Sequence, residues 1–267
     1  MFKAIGLQPL CGLGFFASIG AIFVLNSAWA APDAWLWGAY PATALLMLAA
    51  IACVGVTLNH RVAGLIIDNR NRMSLSKLQM LVWTVVVVSA LTVSAAYNVR
   101  NGLPAGGNPL QIAIAPELLF AMGIAATSFV ATPTVLALKA QEQPTQSDVD
   151  DAKAAVKIGV LQNIGKVHGR SDPMAAEWAD LFRGDEVGTA DTPDLSKIQQ
   201  FAITLLLVGI YSAQLIQQFL DFDPNGPKAI ASLPMIGSQF IVLMGISHGS
   251  YLVYKAAPHS ASAPAAT

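Results

Sequence analysis

Apolar residues in this chain come in long unbroken blocks, not in the alternating or every-third-or-fourth patterns of half-buried strands and surface helices. A helix crossing a hydrocarbon core needs about 20 mostly apolar residues, because it rises roughly 1.5 Å per residue and lipid offers its backbone no other hydrogen-bond partner. Six blocks meet that requirement: residues 11–30, 34–58, 78–97, 116–138, 198–220 and 235–254. The expected fold is an all-α integral membrane protein with six transmembrane helices. Trp29, Trp35, Trp37, Tyr97, Tyr251 and Tyr254 fall near block ends, where an amphipathic ring suits the headgroup zone, whereas Trp83 and Tyr211 lie deeper and are expected to pack between helices.

Composition agrees: 54% of residues are hydrophobic and 12% charged, against roughly 25% charged in an ordinary soluble domain. Fifteen Lys and Arg against sixteen Asp and Glu leave no basic surplus for a phosphate backbone, which disfavours nucleic acid as a partner. The placement of the charges says more than their sum. Only Arg100 and Lys228 fall on one side of a six-span path, and every other Lys and Arg falls on the opposite side. Positive charge stays cytoplasmic during insertion, so both termini are expected there.

The first block has two readings. It is either a retained span, forming a hairpin with the second block through Ala31-Pro32-Asp33, or a signal peptide cleaved after Ala28-Trp29-Ala30. Its length favours retention; cleavage would leave five spans in the same orientation. Cys11 and Cys53, the two cysteines, sit within apolar blocks and read as small packing residues instead of a disulfide.

A repeat runs through the later blocks. Ser74-Leu75-Ser76-Lys77-Leu78-Gln79 and Asp194-Leu195-Ser196-Lys197-Ile198-Gln199 open the third and fifth spans, with Thr84 matching Thr204 farther along. Met122-Gly123-Ile124 with Ser128 corresponds to Met244-Gly245-Ile246 with Ser250. The unit is a helix hairpin used twice, and an even number of crossings between copies makes the repeats parallel. Ser74 and Asp194 are placed to cap exposed helix amides, and Lys77 and Lys197 to snorkel to headgroups, with ligand contact the lesser alternative. Gly245 and Gly249 form a G-x-x-x-G pair for close helix packing, within one subunit or between copies. Pro41 and Pro133 fall inside spans and are expected to kink or unwind them.

Residues 140–193 interrupt the two hairpins and hold most of the acidic groups. Val149, Ala152, Val156, Val160 and Ile164 predict a helix over 148–164, and Asp172-Pro173 opens a second, whose stripe of Met174, Trp178, Leu181 and Phe182 ends at Gly184. The expected organisation is an N-terminal transmembrane hairpin (1–58), a basic cytoplasmic loop (59–77), repeat hairpin 1 (78–139), a cytoplasmic helical insertion (140–193), repeat hairpin 2 (194–256) and a flexible tail (257–267).

No phosphate loop, dinucleotide fingerprint, H-E-x-x-H or C-x-x-C is present, and His60, His168, His248 and His259 have no ligand spacing, so neither catalysis nor a metal or cofactor is expected. His248 is the sole histidine within a span and reads as a neutral ring hydrogen-bonded across helices, or as a pore-lining group. Thr84 and Thr204 carry the same two readings: interhelical polar contact or pore lining.

The ordered set Trp178, Asp180-Leu181-Phe182-Arg183-Gly184-Asp185-Glu186-Val187-Gly188, Asp194 to Gln199, and Gly245-Ile246-Ser247-His248 with Tyr251-Leu252 resembles an uncharacterised family of bacterial polytopic inner-membrane proteins. Ile67-Asp68-Asn69-Arg70-Asn71-Arg72 fits the same pattern. The resemblance covers roughly residues 60–255 and implies a bacterial cytoplasmic-membrane address, without a catalytic residue. Together these features point to a non-enzymatic membrane scaffold or sensor subunit whose partners are the lipid bilayer and either another copy or another protein. Arg70, Arg72, Trp178, Phe182 and Arg183 are the expected partner-facing residues. The alternative is a homo-oligomeric ion channel or pore.

Overall fold

The computed structural model describes residues 7–28, 36–101, 107–155, 161–222 and 229–259. Seven α-helices fall among them: α1 (Leu7–Ala28), α2 (Leu36–Asn59), α3 (Leu75–Asn101), α4 (Pro116–Lys139), α5 (Gln146–Ala155), α6 (Leu195–Leu220) and α7 (Ser238–Ala256). Two short antiparallel strands, β1 (Leu161–Ile164) and β2 (Val167–Arg170), separate α5 from α6. Helices α1, α2, α3, α4 and α6 are long and apolar enough to cross a membrane. Their outward side chains include Leu13, Phe16, Phe23, Leu45, Phe120 and Leu205, exposure that water penalises and lipid does not. Helix α7, which contains Gln239, His248 and Lys255, is not among the five. The Ala31-Pro32-Asp33 turn, Trp29, Trp35, Val156, Val160, Lys228 and the end of the tail lie outside the described residues.

The described chain forms two units, to which α3, α4, α6 and α7 each contribute residues. The first takes in residues from 1–65, 81–122 and 205–241. Here α1 and α2 pair closely: Asn26 Nδ2 donates to Thr43 Oγ1 (3.0 Å), and a Cβ added to Gly14 would stand 2.9 Å from Cys53 Sγ. Cys11 and Cys53 are free thiols. Trp83 and Tyr211 are buried with ring centroids 6.2 Å apart, packing between helices as their depth in the blocks implied. Tyr97 differs from expectation: it is buried against Phe222, at a centroid distance of 5.0 Å. Asn98 holds the strand-like segment before α7, accepting from Ile230 N (2.7 Å) and donating to Ile230 O (3.0 Å).

The second unit takes in residues 66–80, 123–204 and 242 onward. Its polar head departs from the helical insertion expected from the sequence. Helix α5 is described as far as Ala155, and Ile164, expected on its apolar face, instead closes β1 opposite Val167. The expected second helix resolves into short 3-10 turns at Pro173–Ala175 and Trp178–Leu181. The reason is local. Asp172 and Glu177 both take up extended backbone as caps, and Asp180 Oδ2 accepts from Glu177 N (2.8 Å), closing one turn before a helix can propagate. Gly165 begins the β1–β2 turn at φ 57°, a conformation that favours glycine. Pro41 and Pro133 are accommodated inside continuous helices; Pro133 leaves the Phe129 carbonyl without its intrahelical donor.

Candidate functional site: a cation-rich buried network

The loop between α2 and α3 folds back on itself through Asp68. Its backbone N–H donates to Arg72 O (2.8 Å), and Oδ1 accepts from Arg70 N (2.9 Å) and Arg72 N (3.1 Å). Asn71 takes φ 58° and donates to Arg170 O (2.8 Å), while Arg170 N donates to Arg70 O (2.8 Å), so the loop lies alongside β2. This placement turns two guanidinium groups inward. Arg72 is 1% exposed, and Arg70 is largely buried. Neither group faces outward as the partner-facing reading of Arg70 and Arg72 supposed.

Asp185 is the hub. Its carboxylate meets Arg70 (2.9 Å), Arg72 (3.3 Å), Lys197 (3.0 Å) and Lys255 (2.7 Å), tying the loop to the first turn of α6 and the last turn of α7. Lys197, expected to snorkel, is buried, bridging Asp185 and the Arg183 carbonyl (2.6 Å). Asp180 adds a second centre, accepting from Arg170 (2.8 Å) with Arg72 Nε at 3.5 Å. Glu177 extends the chain to Arg170 (3.2 Å) and Arg183 (2.9 Å). Among the described residues the ion pairs of this connected network join Arg70, Arg72, Arg170, Arg183, Lys197 and Lys255 to Asp68, Glu177, Asp180 and Asp185. Cations outnumber carboxylates six to four. Nearby, Lys139 pairs with Glu186 (2.5 Å) and Lys166 with Glu142 (2.9 Å), and these pairs balance.

Electrostatics follow from the crowding. Burial pushes the Asp185 carboxyl up, but Lys197, Lys255, Arg70 and Arg72 outweigh it and hold it well below the ordinary carboxylate range. Asp180 is lowered too, by Arg72 and Arg170 acting against burial. Burial drives Arg72 below its usual value, with Arg70 adding repulsion, while Asp185 and Asp180 act against both. His168 is buried among these groups, and both of its ring nitrogens lack a hydrogen-bond partner. Burial, with Arg72 and Arg170 repelling a charged ring, lowers it to about 3. It is neutral at physiological pH. Arg72 Nε and Nη2 and Arg170 Nε are also without hydrogen-bond partners.

Beneath the head, polar side chains of α3, α4, α6 and α7 interlock. Gln79 Nε2 donates to Thr204 Oγ1 (2.7 Å), and His248 Nδ1 lies 3.0 Å from Gln200 Nε2 and 2.6 Å from Ser128 Oγ. Nδ1 is the His248 nitrogen that meets partners, as acceptor or donor according to the tautomer, and the other ring nitrogen is Nε2. That atom, Gln79 Oε1, Gln200 Oε1 and Ser247 Oγ are buried without hydrogen-bond partners. Ser76 meets Thr132 (3.0 Å), which lies 3.5 Å from Tyr251 Oη, and Lys255 donates to that same oxygen (2.6 Å). Tyr251 is thus buried instead of interfacial.

The other expected residues are scattered. Thr84 is half-buried in the first unit. A Cβ on Gly245 would touch Ile124 (3.9 Å), whereas Gly249 has open space beside it. Phe182 packs edge-to-face on Phe201 (5.2 Å), and Arg183 is half-exposed beside Glu177. Trp178 and Met174 stand outward, 56% and 57% exposed. Sequence reasoning missed Asp185 as the hub, along with Asp180, Lys255 and Arg170. The available signal was a pair of adjacent acidic residues, Asp185-Glu186, directly after Arg183-Gly184 and lying between Arg170 and Lys197. Among the described residues no group of three His, Cys, Asp or Glu side chains is arranged to hold a metal ion. Compared with protein-family models, curated proteins and solved structures, the chain matches none of them.

Proposed function

We propose that this protein is a non-enzymatic scaffold or sensor subunit of the bacterial cytoplasmic membrane, with α7 as a sixth span and both termini and the polar head on the cytoplasmic side. The observation that carries this reading is the head itself. The charged side chains gathered on Asp185 are consumed internally, fastening the 68–72 loop, β2, α6 and α7 together, while Trp178 and Met174 stand outward. Aromatic and methionine side chains of this kind are over-represented where proteins dock. The basic residues of the head suit the cytoplasmic leaflet. A photo-reactive residue at Trp178 or Met174 is expected to cross-link one defined protein in native membranes. Capture of nothing reproducible at either position would contradict the docking role.

A homo-oligomeric channel is the second reading, favoured by the unpartnered polar atoms of Gln79, Gln200, Ser247 and His248 in the buried layer, since such groups call for water. It predicts conductance from the purified protein in planar bilayers, altered by Thr204→Val. Electrical silence across ions and voltages would remove it.

A further inference from the structure

The second unit contains a cleft of about 190 Å³ between the last three turns of α4, the start of α3, the 68–71 loop and the β1–β2 hairpin. Its lining changes character along its length. Phe129, Pro133, Leu136 and Ile164 supply an apolar wall, while Asn69, Arg70, Lys77 and Arg170 supply a polar one, in which the carboxylate of Asp68 is already paired with Arg70. The cleft is built half from a membrane-length helix and half from the charged head.

Three observations give its polar end a sign. The ion-pair network reaching it through Arg70 and Arg170 carries six cations against four carboxylates. Buried positive charge without a counter-charge is costly, so an anion there is stabilised. The Arg170 guanidinium is buried with an unpartnered Nε. Lys77 forms no ion pair among the described residues; its ammonium donates only to the Ile67 carbonyl (2.7 Å), and two of its three N–H groups are left for a ligand. The first turn of α3, with its positive dipole end, also faces the cleft through Ser74 and Ser76.

We propose that this cleft binds one acidic membrane lipid, its anionic headgroup on Lys77 and the α3 N-terminus and the start of one acyl chain along Phe129, Pro133 and Leu136. The volume admits a headgroup and a few methylenes, with the remainder of the lipid staying in the bilayer. A soluble anion would leave the apolar wall unused. The proposal depends on the membrane setting of the reading above but not on the docking role of Trp178, and its test is independent of cross-linking.

The test is native mass spectrometry of the full-length protein, delipidated in detergent and titrated with phosphatidylglycerol, phosphatidylcholine or inorganic phosphate. Wild type is expected to retain one phosphatidylglycerol in preference to phosphatidylcholine. Lys77→Gln should weaken that retention about tenfold, the equivalent of one charge-assisted hydrogen bond, and Leu136→Trp should abolish it by filling the apolar wall. Thermal unfolding checks that both variants are folded, and the wild-type comparison of the two lipids stands without them. Equal retention of both lipids, retention indifferent to Lys77→Gln, or competition by phosphate alone would each overturn the proposal.

Discussion

Asp185 does its work as a single carboxylate facing four cations, and so it is the residue whose neutralisation the head tolerates least. Asp185→Asn keeps the volume but strands Arg70, Arg72, Lys197 and Lys255 around an amide. Breaking a buried pair by removing one partner costs about 3–5 kcal/mol, so denaturant unfolding of the variant should show a loss of that order; a loss below about 1 kcal/mol would mean the network is not the fastening described. His168 makes the opposite prediction. With both ring nitrogens unpartnered, His168→Leu should be neutral or stabilising at pH 7.5, since an apolar replacement removes two unsatisfied polar atoms. The folded ring is lowered to about 3 against about 6.5 unfolded. The unfolded state therefore binds the extra proton between those values, and stability is full above about 6.5 and falls as the pH drops towards 3. At pH 5 the deficit is about 2 kcal/mol. Thermal melting of wild type at pH 7.5 and pH 5 should show it, and His168→Leu should lack it. Asp185 adds little between pH 7.5 and pH 5, because its unfolded carboxyl takes up a proton only near about 3.9; with the folded carboxyl held well below that, its own loss sets in as the pH falls further. At this scale the sequence was half legible. Arg70, Arg72 and Arg183 stood out, but Arg70 and Arg72 face inward because Asp180 and Asp185 arrive from more than a hundred positions away, and periodicity carries nothing about that.

The elements were more legible where hydrophobicity alone decides them. Long apolar blocks became α1, α2, α3, α4 and α6 within a few residues, because a spanning helix is fixed by length and backbone satisfaction. The caps read from the repeat are present: Ser74 Oγ accepts from Lys77 N (3.4 Å), and Asp194 Oδ1 from Ser196 N (3.0 Å) and Lys197 N (3.2 Å). The polar insertion was misread because its short segments follow turn chemistry, where Asp172, Glu177 and Gly165 outweigh a weak 3.6-residue stripe. Gly165 supplies the check. A Cβ there would collide with the Ala140 carbonyl and stand 2.5 Å from Glu142 O, at a φ that already disfavours L side chains. Gly165→Ala should cost more than about 1 kcal/mol, read as a lowered unfolding midpoint; an unchanged midpoint would show that the hairpin does not pack on the end of α4. The Gln79–Thr204 pair tests the buried layer. Thr204→Val takes away the short bond and leaves the Gln79 amide only its 3.4 Å contact with Gln200 O; it should destabilise by about 1 kcal/mol, while Gln79→Leu combined with Thr204→Val should recover most of that loss. Additive losses would mean the two side chains do not bond across α3 and α6.

For the whole molecule, five membrane-length helices and the apolar side chains they turn outward fit a membrane protein, and this was legible from block length alone. What the blocks could not reveal is the chemistry gathered in the second unit, since Arg70, Asp185, Lys197 and Lys255 come from four separated stretches that no local pattern connects. In the function proposed above, the head holds its own charges together so that Trp178 and Met174, turned outward, can receive another protein. Native mass spectrometry of complexes extracted directly from native membranes into nanodiscs tests it most directly. The expected mass is that of this chain together with a second, different protein, which is lost when Trp178 and Met174 are both replaced by serine. Only integer multiples of this chain's own mass, unchanged by those substitutions, would contradict it and leave the homo-oligomeric pore as the better description.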